Sequence, residues 1–195
     1  MPSTTTTIRT SRLLLRPWMP GDEDALVQWA DNWNVARNLR DSFPHPYTLP
    51  DAWRWIAQCN SNPGPLLDFA IELSGQVVGG IGLQPQSDIF RCTIELGYWI
   101  AEPYWGRGIA SEAVDAIVWY GFEMLPEITS IQARHIASNP ASGRVLEKCG
   151  FRLEGRLRDA AVKAGIVSDV LVYSKTRKDV ETAGRVKKGP RFTRP

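Results

Sequence analysis

The 195-residue chain reads as a single α+β domain in which helices pack on a mainly antiparallel sheet. Three observations carry that reading. Strand-like segments follow one another directly at LLDFAIEL, QVVGGIGLQ and CTIELGYWIA, where an alternating βαβ chain would place helices between them. Helical spacing recurs on either side, first at Ala52, Trp55, Ile56 and Cys59, then at Val114, Ile117, Val118, Gly121, Phe122 and Leu125. With 43% hydrophobic and 23% charged residues, the composition is that of globular material long enough to bury one full core.

Taken in order, RLLLRPW opens with three consecutive leucines and is expected to be a strand. GDEDALVQWA carries acidic residues in its first turn, where the helix dipole favours them, and a short second helix is expected over 34–39. DSFPHPYTLP holds three prolines and no period, so it is a loop; DAWRWIAQC after it is helical. Ser74-Gly75 turns the first of the three successive strands into the second, and residues 85–90 connect the second to the third. SEAVDAIVWYGFEML is helical, IQARHIA strand-like, PASGRVLEKCG helical, and FRLEGRL and SDVLVYSK complete the sheet. That makes about seven strands and four or five helices, without internal repeats, in one domain over residues 8–178. A basic, flexible tail is expected over 179–195.

Charge and cysteine usage narrow the partners. The net charge of +2 conceals five basic and no acidic side chains in the last eleven residues, leaving 18 basic against 21 acidic elsewhere. The folded part therefore offers no general polyanion-binding surface, and DNA is not an expected partner. The tail is read as a solvated end, with RNA or ribosome contact as the alternative. Three cysteines without CxxC spacing and two histidines argue for reduced thiols and against a metal centre. No apolar run approaches the roughly 18 residues of a spanning helix, and MPSTTTTIRT lacks a signal-peptide core. A cytoplasmic protein, monomer or homodimer, is expected.

The most informative stretch is YWGRGIASEAV, Tyr104 to Val114. Two glycines bracket an arginine between a strand pattern and a helix pattern, which suits a close approach to the backbone. No Gly-Lys-Ser/Thr follows, so this is not a Walker loop. The dinucleotide fingerprint would need a third glycine at Ser111. A nest of N–H groups at a helix N-terminus, shaped for a diphosphate, fits better.

IELGYWIAEPYWGRGIASEAV, followed by SNPASGRVLEKCGFRLEGRLRDA, resembles the GNAT superfamily of N-acetyltransferases over roughly residues 8–178. The Tyr-Trp-Gly-x-Gly loop and the later Asn-x-x-Ser element are similar to the branch containing the ribosomal-protein alanine and serine N-terminal acetyltransferases. Trp105 stands where the wider family has Gln or Arg; Gly108 and Ala110 match its pattern. The resemblance implies a GNAT-like sheet and acetyl-CoA as cosubstrate, without a metal. It implies that Trp105, Gly106, Arg107, Gly108, Ile109 and Ala110 form the pyrophosphate loop. It also implies that the strand before the loop splays from IQARHIA, freeing backbone groups around Trp99 and Ile100 for the pantetheine arm. Asn139 is the implied pantetheine contact, with an N-cap role as its alternative. Ser142 is implied to protonate or hydrogen-bond the departing thiolate, with a plain helix-surface serine as its alternative.

Glu95, inside an apolar strand on the side of Gly97 and Trp99, is the expected base, since burial with few partners makes a carboxylate a better proton acceptor. An ion pair with Arg91 or another arginine is the competing reading. A second glutamate implied by the family would fall near Ala161 and is missing. Trp33, Phe43, His45 and Tyr47, together with Trp29 and Trp53, are the candidate acceptor wall or else plain core. Asp68, Glu72 and Asp159 are candidates for holding a cationic amine. The expected activity is acetyl transfer from acetyl-CoA to a primary amine, with a protein N-terminus such as that of a ribosomal protein as one candidate. A small amine (polyamine, amino acid or aminoglycoside) or a silent acyl-CoA sensor are the alternatives.

Overall fold

In the computed structural model, which describes residues 6–61, 64–184 and 191–193, six helices flank one sheet of nine strands among the described residues. The chain runs through β1 (Thr7–Arg9), β2 (Leu13–Arg16), α1 (Glu23–Ala30), α2 (Trp33–Ala36), α3 (Leu49–Asn60), β3 (Asp68–Leu73), β4 (Gln76–Pro85) and β5 (Thr93–Ile100). It continues with α4 (Ile109–Met124), β6 (Ser130–Ile136), α5 (Pro140–Lys148), β7 (Arg152–Lys163), β8 (Ile166–Thr176), α6 (Arg177–Gly184) and β9 (Arg191–Thr193). The strand order is β7-β8-β6-β5-β4-β3-β2-β1-β9. Every neighbouring pair is antiparallel except β5–β6.

Alternation along the strands sorts side chains onto two faces. Ile94, Leu96 and Ile100 of β5 join Phe69, Leu83 and Ile131 in a core covered by α4, whose Val114, Ile117 and Tyr120 are buried there. On the other face Trp18, Leu26 of α1 and Ile56 of α3 form a second core, with Trp99 packed against it. Each fully buried large side chain contributes on the order of 1.5–3 kcal/mol relative to exposure. Gly80 makes the second core possible, because a Cβ there would lie 2.8 Å from Trp99 Nε1 and 3.0 Å from Trp18 Cζ2. Arg16 ties the first strands to α1. Its guanidinium grips both Asp22 carboxylate oxygens at 2.8 Å and Glu72 at 2.7 Å. Glu72 is therefore a structural ion-pair partner, not an amine ligand.

Helices α1, α3 and α4 and strands β2 to β8 lie where the sequence pattern places them, and the short second helix is Trp33–Ala36. Two strands, β1 and β9, and one helix, α6, exceed the expected number. β1 has a single buried residue among its three strand positions, Ile8, too little to register as a period. The segment set apart as a tail contributes to α6, and its last strand pairs with β1 as Thr7↔Thr193, Ile8↔Phe192 and Arg9↔Arg191. Residues 185–190 and 194–195, where most of the basic tail falls, lie outside the described residues. Arg177, at the start of α6, donates to the carbonyls of Phe122, Leu125 and Ile128. It thereby ties the end of α4 and the turn after it to the start of α6, occupying the Phe122 carbonyl that the helix leaves open. Among the described residues no helix is long and apolar enough to cross a membrane.

Candidate active site

β5 and β6 run side by side only from Thr93↔Ser130 to Leu96↔Ala133. Beyond that point β5 stays with β4 as far as Ile100↔Gly79, while β6 stays with β8 as far as Ile136↔Val170. The two strands therefore part, and a cleft opens between them. The Ala101 N–H donates to Val78 O at 2.8 Å and Trp99 stands opposite Gly80, so odd-numbered backbone groups of β5 face β4. The even-numbered groups, those of Tyr98 and Ile100, face the cleft. The expectation for Trp99 is corrected accordingly: its backbone belongs to the β4 ladder and its indole to the second core. Ile100 keeps its place, but its carbonyl already accepts the Trp105 indole N–H at 2.6 Å, leaving its N–H toward the cleft.

The chain leaves β5 through a short 3-10 turn, Glu102–Tyr104, and enters the glycine loop. Gly106 and Gly108 have φ of 73° and 76°, in the left-handed region where a side chain is strained. Arg107 between them is not among the positive-φ residues. That alternation turns successive N–H groups to one side, the geometry of an anion-binding nest. Gly108 is the N-cap of α4 and provides no side-chain cap, so the first-turn N–H groups of Ile109 and Ala110 remain directed outward at the positive end of a 16-residue helix. By contrast α3 carries a capping box of Thr48 and Asp51, and α5 is capped by Asn139. Trp105 is exposed, folded back onto Ile100 as described. Arg107 is exposed and lies over the Tyr104 ring, 5.4 Å from its centroid. Tyr104 packs edge-on against Trp29, and Glu102 accepts from the Asn32 and Asn34 amides at 2.7 and 2.9 Å. The loop is thus braced against α1 and α2.

Across the cleft, Asn139 Oδ1 accepts the Ser142 N–H at 3.3 Å. The N-cap reading of Asn139 holds, and its amide NH2 is left for other partners. Ser142 lies in the first turn of α5, and its Oγ is 2.8 Å from the Tyr98 hydroxyl. Tyr98 escaped the sequence analysis because it sits in an apolar strand and looks like core. Burial pushes its phenol up to about 12, against the opposing effect of the Ser142 hydrogen bond. Its proton therefore stays on at neutral pH. Burial likewise pushes the thiols of Cys59 and Cys149 up to about 12, which suits neither to act as a nucleophile.

Glu95 lies on the opposite face of β5 from Tyr98. Its carboxylate has 18% of its side-chain surface exposed and bonds Arg40 at 2.5 Å, an arginine that is itself 65% exposed. The picture of a carboxylate with few partners is corrected to the competing one, with Arg40 in place of Arg91. Of the aromatic wall, Phe43 and Tyr47 pack at a tilt, 5.2 Å between ring centroids, and Phe43 meets Trp99 at 5.8 Å. These two form the border of the second core. Trp33 and His45 pair at 5.4 Å on the exposed rim, and His45 also faces Asp31 at 3.2 Å. Trp53 is exposed on α3. Asp68 stands across β4 from Gly97, in the register Asp68↔Gly82↔Gly97, and burial lifts it to about 6. Asp159 occupies the irregularity of β7 between Leu157 and Ala161, where its N–H bonds Asp169.

Known proteins are similar to this chain in sequence and fold. A family model described as an acetyltransferase (GNAT) domain matches residues 12–152. An uncharacterized N-acetyltransferase of Bacillus subtilis (strain 168), YoaA, is 37% identical over 86% of this chain and 94% of its own. A protein of the same organism named as a putative ribosomal N-acetyltransferase, YdaF, is 29% identical over 82% of each. Among solved structures, RimL, a ribosomal L7/L12 α-N-protein acetyltransferase in complex with coenzyme A, superposes with a TM-score of 0.77 at 20% identity, covering 89% of this chain and 99% of that one. The chain belongs to the GNAT family and is an acetyl-CoA-dependent N-acetyltransferase.

Proposed function

We propose that the enzyme passes the acetyl group directly to the N-terminal α-amine of a protein, a ribosomal protein being the first candidate. The observation that carries this reading is the sequence of features along β5: a carboxylate, Glu95, in the stretch still paired with β6, then the cleft where the strands part, then the uncapped glycine nest beyond Ile100. The loop from Gly106 to Ala110 receives the pyrophosphate. The Tyr98 and Ile100 backbone and the Asn139 amide receive the pantetheine arm, as an added strand would be received. Acetyl-CoA supplies the activated thioester. Glu95 takes the amine proton, directly or through a water, and Arg40 fixes the carboxylate's direction. Ser142 presents its hydroxyl to the departing sulfur, with its Oγ held 2.8 Å from the Tyr98 hydroxyl.

A modest base suffices for an α-amine. Its ordinary pKa near 7.7–8.0 leaves roughly a tenth of it neutral at pH 7, whereas a lysine near 10.4 has less than about a thousandth. The acceptor rim, with Trp33 and His45 exposed, suits a chain end lying across a surface more than a small amine enclosed in a pocket. The names of YdaF and RimL point the same way. The test is a pair of peptides, one with a free N-terminal Ala, Ser, Thr or Met and no lysine, the other N-blocked with an internal lysine. Mass spectrometry should locate acetyl on the first alone. In the same assay Glu95→Gln should lower kcat by about 100-fold while acetyl-CoA affinity persists. Acetylation of the lysine peptide, or an unchanged kcat in the variant, would contradict the reading.

A further inference from the structure

Arg12 lies in the turn between β1 and β2, 95 residues from the glycine loop in sequence, yet its Nη1 donates to the Arg107 carbonyl at 2.9 Å. Its Nε is bonded to Glu112 Oε2 at 2.7 Å, and its backbone N–H to Glu112 Oε1 at 2.9 Å. The Thr10 and Ser11 hydroxyls donate to that same Oε1 at 2.5 and 2.9 Å. Glu112 belongs to the first turn of α4. The turn before β2 thus grips the loop and the helix together. The Arg12 side chain is 46% exposed while that of Glu112 is 16% exposed, so the carboxylate is the fixed end of the pair. Burial alone would raise Glu112; the hydrogen bonds from Thr10, Arg12 and Ser11 outweigh it and hold the carboxyl down at about 2.

The consequence lies in one peptide plane. In a trans peptide the C=O and the following N–H point in opposite directions. A Arg107 carbonyl turned inward to Arg12 therefore turns the Gly108 N–H outward, into the nest. We infer that Arg12, held by Glu112, is a positioning residue for the diphosphate of the cosubstrate: it locks the Arg107–Gly108 peptide in the orientation that presents the Gly108 N–H. Its Nη2 also lies along the loop, 3.5 Å from where a Cβ on Gly108 would be. The guanidinium acts by its fork, because its charge is already offset by Glu112. This inference rests on the reading of Gly106–Ala110 as the pyrophosphate loop.

The test compares two donors, acetyl-CoA and acetyl-pantetheine, the second lacking the diphosphate, across wild type, Arg12→Ala and Arg12→Lys, with thermal melts to verify folding. Arg12→Ala should raise the KM for acetyl-CoA about tenfold, the scale of a lost charge-assisted hydrogen bond, with kcat within about twofold. Its kcat/KM for acetyl-pantetheine should not change. Arg12→Lys should not restore the acetyl-CoA KM, since a single ammonium lacks the planar fork that joins Glu112 to the Arg107 carbonyl. If the alanine variant does not fold, the lysine variant carries the same donor comparison. An equal loss with both donors, no loss with acetyl-CoA, or full rescue by lysine would overturn the inference while leaving the functional reading intact. A wild type that discriminates neither donor would overturn the pyrophosphate loop itself, and this inference with it.

Discussion

Asp68 and Glu112 are displaced in opposite directions, and the sign of each makes a separate statement about stability. Asp68, lifted by burial from 3.8 to about 6, binds its proton more tightly folded than unfolded. The stability tied to that proton is fully present below about pH 4 and is lost as the pH rises through about 6. A shift of this size corresponds to about 2–3 kcal/mol. Asp68→Asn should therefore raise the Tm by several degrees at pH 8, and the gain should vanish in melts below about pH 4. Equal melting temperatures at pH 8 would show that the carboxylate finds compensation there. Glu112, held low, does the reverse: its contribution is present above about pH 4.5 and fades as the pH falls toward about 2.

Helix α5 shows how an element can hold two roles in one residue. Asn139 caps the helix through its Oδ1 and, in the functional reading, offers its amide NH2 to the pantetheine arm. Serine can cap but has no amide. Asn139→Ser should thus keep the melting temperature within about a degree and still weaken acetyl-CoA binding, whereas Asn139→Ala should also lose about 1 kcal/mol of stability. Equal acetyl-CoA affinity in Asn139→Ser and wild type would leave only the cap. The legibility of the elements follows from how much apolar surface each one buries. β3, β4 and β5 were readable because their buried positions form runs or alternations, and α4 because ten of its residues are buried. α6 is polar along most of its length, and β1 has one buried strand residue, so neither leaves a period to read.

At the scale of the molecule, the parts of the site that sequence could reach are local and the parts it missed are joined across the chain. Gly106, Gly108, Asn139 and Ser142 sit in short motifs whose local chemistry is visible. Tyr98 meets Ser142 across 44 positions, Arg12 meets Arg107 across 95, and Arg40 meets Glu95 across 55. Only the sheet order brings those pairs together. The central claim is that this assembly moves acetyl from acetyl-CoA to an α-amine, and the most direct measurement of it is coenzyme A thiol release, followed with a thiol reagent. Two acceptor pools would be offered, peptides with free N-terminal Ala, Ser, Thr or Met and a set of small amines, each beside an acceptor-free control. The expected result is release with the peptide pool, at a rate well above both the control and the small amines. Release with small amines alone, or binding of acetyl-CoA without release in either pool, would contradict it.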